Sequence, residues 1–165
     1  MIFGMTILTF VHVVLSLIGI FAGLVVMYGL LISKHSKGWT ALFIWTTVAT
    51  SVTGFLFPFH KFLPSHAIGI LSLLVLTIAI YALYGKHLSE GWRKAYAINA
   101  MIALYFNVFV LIAQLFMKVP ALKALAPTQS EAPFKEAQLA ALIAFVVLTI
   151  LAAIKFRGEP VKSAV

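Results

Sequence analysis

The sequence has no cysteine and no aspartate, and its 165 residues include only four glutamates against twelve lysines and arginines. Without cysteine there is no disulfide framework, no thiolate-ligated metal and no CxxCH attachment for a c-type haem. Without aspartate, and with the glutamates placed in loops or at helix ends, the carboxylate pairs used by hydrolases are missing. No P-loop and no GxGxxG element is present, so a nucleotide fold has no anchor. Charge as a whole is scarce. Charged residues make up 10% of the chain and apolar ones 63%, with a mean hydropathy of +1.10. An ordinary soluble domain carries about 25% charged and about 45–50% apolar residues. A water-soluble fold of this size has no interior large enough for so much apolar surface. The composition points to a small polytopic membrane protein.

Five stretches free of Asp, Glu, Lys and Arg are long enough for a hydrocarbon core about 30 Å thick, at 1.5 Å per helical residue. They are residues 1–33, 38–59, 62–85, 95–117 and 137–154. The expected fold is all-α, a five-transmembrane-helix bundle forming a single integral membrane domain over 1–165. Its helices are expected at about 3–33, 38–58, 64–85, 94–117 and 136–155. The first stretch lacks a basic n-region and is too long for a cleaved leader, so it is read as helix 1 of the mature protein. The one long connection, 118–135, holds a short interfacial helix between Pro120 and Pro127, with Leu122 and Leu125 towards lipid.

Orientation follows from the basic residues. Lys34, Lys37, Lys86, Arg93, Lys94, Lys155, Arg157 and Lys162 fall on one side; Lys61, Lys118, Lys123 and Lys135 fall on the other. The bias places the N-terminus outside and the C-terminus in the cytoplasm, with 118–135 as an external loop. The net charge of +8 is then explained by topology and contact with anionic membrane lipid. The basic residues are divided among short loops rather than gathered on one face, so no nucleic-acid partner is expected. Trp39, Trp45 and Trp92 read as interfacial anchors, Trp45 lying deeper and packing inward.

With no carboxylate, lysine or arginine inside the spans, a voltage sensor is excluded and a carboxylate-based proton pump disfavoured. The intramembrane polar residues fall on stripes. His12, Ser16, Gly19 and Gly23 share one face of helix 1, and Gly19–Gly23 is a GxxxG suited to close packing or to a homo-oligomer contact. Thr46, Thr50, Thr53 and Gly54 form a small, hydroxyl-bearing face on helix 2. Asn99, Asn107 and Gln114 align on helix 4. By helical rise His12, His66 and Gln114 each lie roughly 9–13 Å outward of mid-span, with His60 just above. Polarity is therefore concentrated in the outer leaflet.

Neutral imidazole binds metals and haem iron. One reading of this level is a b-type haem held between His12 and His66, with His60 and Gln114 at its rim and Phe55, Phe57, Phe59 and Phe62 as apolar walls. A second is a transition-metal site using His12, His60, His66 and Glu131. The plainer alternative gives His12 an interhelical hydrogen bond and leaves His60 and His66 at the interface. Asn99, Asn107 and Gln114 either line a small-solute path or bind helices together. Thr128-Gln-Ser-Glu131 has capping-box spacing and fits either a helix start or a site element. The functional expectation is a haem- or metal-binding, redox-type membrane protein; the alternative is a non-enzymatic transport, accessory or structural component.

The stretches 46–58, with TTVATSVTGFLFP, and 118–131, with KVPALKALAPTQSE, resemble a family of small multi-pass bacterial membrane proteins. The likeness covers most of the chain. It implies location in a bacterial inner membrane, and it supplies no catalytic residues.

Overall fold

The computed structural model describes residues 6–57, 64–89 and 91–156. Within them every regular element is helical: α1 (Ile7–Leu31), α2 (Lys37–Gly54), α3 (Pro64–Ile80) continued by a π-helical turn (Tyr81–Gly85), α4 (Trp92–Lys118), α5 (Pro120–Leu125) and α6 (Ala132–Lys155). Four helical segments are long and apolar enough to cross a membrane: α1, α3 with its π turn, α4 and α6. These show a multi-pass integral membrane architecture. α2, with 18 residues and about 27 Å of rise, is long enough but falls outside that set because Lys37 and its hydroxyl residues Thr40, Thr46, Thr47, Thr50, Ser51 and Thr53 dilute its hydropathy.

The ends of the helices follow local chemistry. Thr6 caps α1, its hydroxyl accepting from the Thr9 amide at 3.2 Å. α1 closes in a Schellman arrangement: Lys34 N–H donates to Gly29 C=O at 2.8 Å and Ser33 N–H to Leu30 C=O at 3.3 Å, with Ser33 at φ 56°. α2 ends at Gly54 rather than near residue 58, because the residue before a proline disfavours helical backbone and the chain leaves the helix ahead of Pro58. α6 begins at Ala132 rather than 136, since Pro133 is accommodated in a first helical turn. The π turn is closed by Lys86 N–H donating to Tyr81 C=O at 2.9 Å. The Lys86 ammonium lies 5.6 Å from the Tyr81 ring centre and 5.8 Å from that of Trp92.

α1 packs chiefly on α2, α2 on α3, α3 on α4 and α4 on α6; α1 also touches α4 and α6. α4 is thus the hub, and it buries Tyr96, Ala97, Ala100, Met101, Ala103, Leu104 and Phe116. α6 is peripheral: Phe145 and Ala152 are the buried residues among its 24, Leu148 and Phe134 pack partly inward, and Leu139, Ile143, Val147, Ile150 and Ile154 are exposed. α4 and α6 are joined by the Tyr105–Phe145 rings, 5.7 Å apart, and by Gln138 Nε2 donating to Phe109 C=O at 3.1 Å.

The Gly19–Gly23 face is filled from within the chain. A Cβ on Gly19 would lie 3.1 Å and 3.3 Å from the Thr46 and Thr47 hydroxyls. One on Gly23 would lie 2.5 Å from Leu104 Cδ1 and 2.9 Å from the Phe43 ring. The glycines let α1 sit against α2 and α4 at once, and in this arrangement they are covered before a second copy reaches them. Trp45 faces outward at 55% exposure, contrary to the expectation that it packs, because Phe43, Ile44 and Thr47 take the inward face of α2.

Candidate functional site

The polar groups of the bundle are organised by α2. Its threonines reach neighbouring helices at three heights. Thr53 meets His12 of α1, Thr47 meets Asn107 of α4, and Thr40 meets Tyr96 of α4 and His35 of the α1–α2 turn.

The His12 end has the most chemistry. His12 Nδ1 lies 2.9 Å from Thr53 Oγ1. The Thr53 hydroxyl has one proton, and its short contacts to the Ala49 carbonyl at 2.8 Å and the Thr50 carbonyl at 3.1 Å use it. Thr53 therefore accepts from His12, which places the imidazole proton on Nδ1 and, in the neutral ring, the lone pair on Nε2. A second-layer acceptor that fixes one nitrogen and leaves the other basic is the arrangement found around metal-ligating histidines. The ring stands edge-on to Phe57 at 5.2 Å, and Gly54 lies beside it.

His66 of α3 is buried at 6% exposure and stacks on Phe55, with centroids 6.0 Å apart and planes 22° apart. Phe55 also covers Gly69, one turn further on. The last turn of α2 and the residues after it thus contact both histidines: Thr53, Gly54 and Phe57 on the His12 side, Phe55 on the His66 side. Phe55 and Phe57 supply the apolar surroundings expected of them. His60, Phe59 and Phe62 lie outside the described residues.

The other expected site residues are distributed differently. Gln114 is exposed on α4, and among the described residues no hydrogen bond joins it to either histidine. Glu131 accepts from the Thr128 amide and hydroxyl and from the Ser130 amide, closing the turn that leads into α6. The Thr128 hydroxyl holds the Glu131 carboxyl below the usual carboxylate range. Its oxygens thus serve the loop. Among the described residues no group of three or more His, Asp or Glu side chains gathers as a metal cluster. Of the expected ligands, His12 and His66 are the two that residues at the end of α2 touch.

The amide stripe on α4 divides as well. Asn99 Nδ2 donates to the Ala95 carbonyl of its own helix at 2.8 Å, whereas Asn107 Nδ2 donates to Thr47 Oγ1 at 3.1 Å across the α2–α4 contact. Asn107 is an interhelical bond; Asn99 is not.

Thr53 as the partner that sets the His12 tautomer, and the cluster of Tyr96, Thr40 and His35, are visible in the structure and not in the sequence. The four-and-three spacing of Thr46, Thr50 and Thr53 marks a shared face but leaves open which neighbour meets it. The chain matches no protein-family model, and neither a curated protein nor a solved structure is similar to it.

Proposed function

We propose that this integral membrane protein holds a haem or a transition-metal ion through imidazole nitrogens at the His12 end of the bundle. His12 and His66 are the ligands, and Phe55 and Phe57 wall the site. The observation that carries this reading is the His12–Thr53 hydrogen bond, which leaves Nε2 as the basic nitrogen. A bound haem or metal would supply one-electron chemistry there. The protein's own part is to orient the imidazoles and surround them with Phe55 and Phe57. In line with the family likeness, the proposed location is the bacterial inner membrane, N-terminus outside and C-terminus cytoplasmic, with α2 as a fifth crossing.

The test is an optical spectrum together with elemental analysis of protein purified in detergent after expression with added haem precursor and trace metals. The reading expects a Soret band, or about one transition-metal ion per chain, lost in a folded His12→Ala variant. Purified wild-type protein with neither signal would overturn it.

A second reading is supported by the Asn107–Thr47 bond at the centre of the bundle: a non-enzymatic accessory or small-solute component organised along α2 and α4. It expects function to survive His12→Ala and His66→Ala and to fail in Asn107→Leu.

A further inference from the structure

Opposite the histidine pair, where α1 turns into α2, three polar side chains form a directed chain. Tyr96 of α4, with no exposed surface, donates its phenol proton to Thr40 Oγ1 at 3.4 Å. Thr40, 2% exposed, lies with the same oxygen 3.3 Å from His35 Nε2. Thr40 keeps its own proton while accepting from Tyr96, so in the tautomer of neutral His35 that carries its proton on Nδ1, Thr40 donates to Nε2. The His35 ring sits edge-on to Tyr96 at 6.1 Å and 6.5 Å from Phe156, just beyond α6. The chain ties the α1–α2 turn and α2 to the hub helix.

Beside it lies a cavity of about 20 Å³ lined by Gly29, Lys34, His35, Ser36 and Thr40 among others. That is room for a single water. The groups facing His35 are of one sign or neutral. Lys34 and Lys37 come from the turn and the start of α2, Tyr96 from α4, and the Phe156 ring from the end of α6, next to the exposed Lys155. Tyr84 of the π turn is within electrostatic reach of Tyr96. The described carboxylates, Glu131 and Glu136, stand at the opposite end of α6. An imidazolium formed here meets no described anion, is repelled by Lys37, and no longer accepts from Thr40.

We propose that His35 and the cavity beside it form a proton-uptake site whose occupation unclasps the α1–α2 turn and α2 from α4 at this end of the bundle. The proton arrives from water in the cavity and binds Nε2, and the charged ring leaves the slot between Tyr96 and Phe156 for solvent. Burial, then the charge of Lys37, already hold His35 below the ordinary histidine value of 6.5. The clasped form therefore binds the proton more weakly than the open form. By linkage, acidification below that value raises the open-to-clasped ratio by up to about tenfold per pH unit. This site is separate from the one proposed for His12 and His66, and its test needs neither haem nor metal.

The test is an electron-spin distance measurement in lipid nanodiscs on the full chain, with labels at the exposed positions Gly38 on α2 and Lys94 on α4. Wild-type protein is expected to show one short distribution at pH about 7.5 and a longer, broader one at about 5.5, on either side of the histidine range. His35→Gln is expected to keep the short distribution at both. Tyr96→Phe removes a link of the chain without touching the titrating ring, so its opening should begin at higher pH; it serves also if His35→Gln does not fold. An unchanged wild-type distribution across this range, a pH response that survives His35→Gln, or an opening pH unmoved in Tyr96→Phe would each overturn the proposal.

Discussion

Thr53 and Thr47 show how single hydroxyls direct this bundle. In a helix, threonine returns its proton to a carbonyl one turn back, which turns the oxygen into an acceptor for whatever the neighbouring helix offers. At Thr53 the offered group is His12 Nδ1–H, and the consequence is a defined tautomer. Nitrogen-15 NMR of ring-labelled protein should find the His12 proton on Nδ1, and Thr53→Val should give a mixture of tautomers; a wild-type ring protonated at Nε2 alone would contradict the assignment. At Thr47 the offered group is the Asn107 amide. Asn107→Leu should lower stability against denaturing detergent by about 1 kcal/mol or less, the usual scale of an interhelical hydrogen bond in lipid. Glu131 obeys similar logic in water. Its carboxyl is held down by the Thr128 hydroxyl, so the loop gains stability above the ordinary carboxylate value and loses it as the pH falls through the lowered one. In Thr128→Ala the Glu131 titration, followed by carbon-13 NMR, should move back up.

At the scale of the element, α1 meets two helices along one glycine face. Gly23 admits Phe43 and Leu104 to positions a side chain would occupy. Gly23→Leu should force α1 away from both and cost about 1–3 kcal/mol, as overpacking usually does; a melting temperature at or above that of wild type would count against the close approach. The four apolar crossing helices were legible in the sequence, because charge-free length is a one-dimensional property. Their ends were less so. α2 stops at Gly54 and α6 starts at Ala132, each set by a proline whose local geometry outweighs the length of the apolar run. Stripes were legible, since helical spacing alone puts His12, Ser16, Gly19 and Gly23 together. Their partners were not, because which helix faces a stripe depends on rotation and neighbour order. Asn99 and Asn107 illustrate the point: they share one stripe, yet one bonds its own helix and the other a neighbour. His35 and Tyr96, 61 positions apart in sequence numbering, meet edge-on and share the Thr40 hydroxyl.

For the whole molecule, the arrangement is a hub and rim. α4 carries much of the buried surface, while α6 presents most of its length outward, as a helix solvated by lipid can. α2 is the unusual member. Its hydroxyls lower its hydropathy, yet those of Thr40, Thr46, Thr47 and Thr53 are spent on neighbouring elements and its own backbone, while Thr50 Oγ1 is buried without a hydrogen-bond partner among the described residues. If α2 crosses the membrane, the His12 and His35 ends of the bundle face opposite compartments, and the proposed ligand site and the proposed proton site are accessible from different sides. The absence of cysteine makes this directly measurable, since each introduced thiol is the only one. Single cysteines at Gly38 and at Ser130, probed in intact cells with a membrane-impermeant maleimide and again after permeabilisation, test the account at its centre. The account predicts that Ser130→Cys reacts in intact cells and that Gly38→Cys reacts only after permeabilisation. Equal reactivity of both from the same side would contradict it.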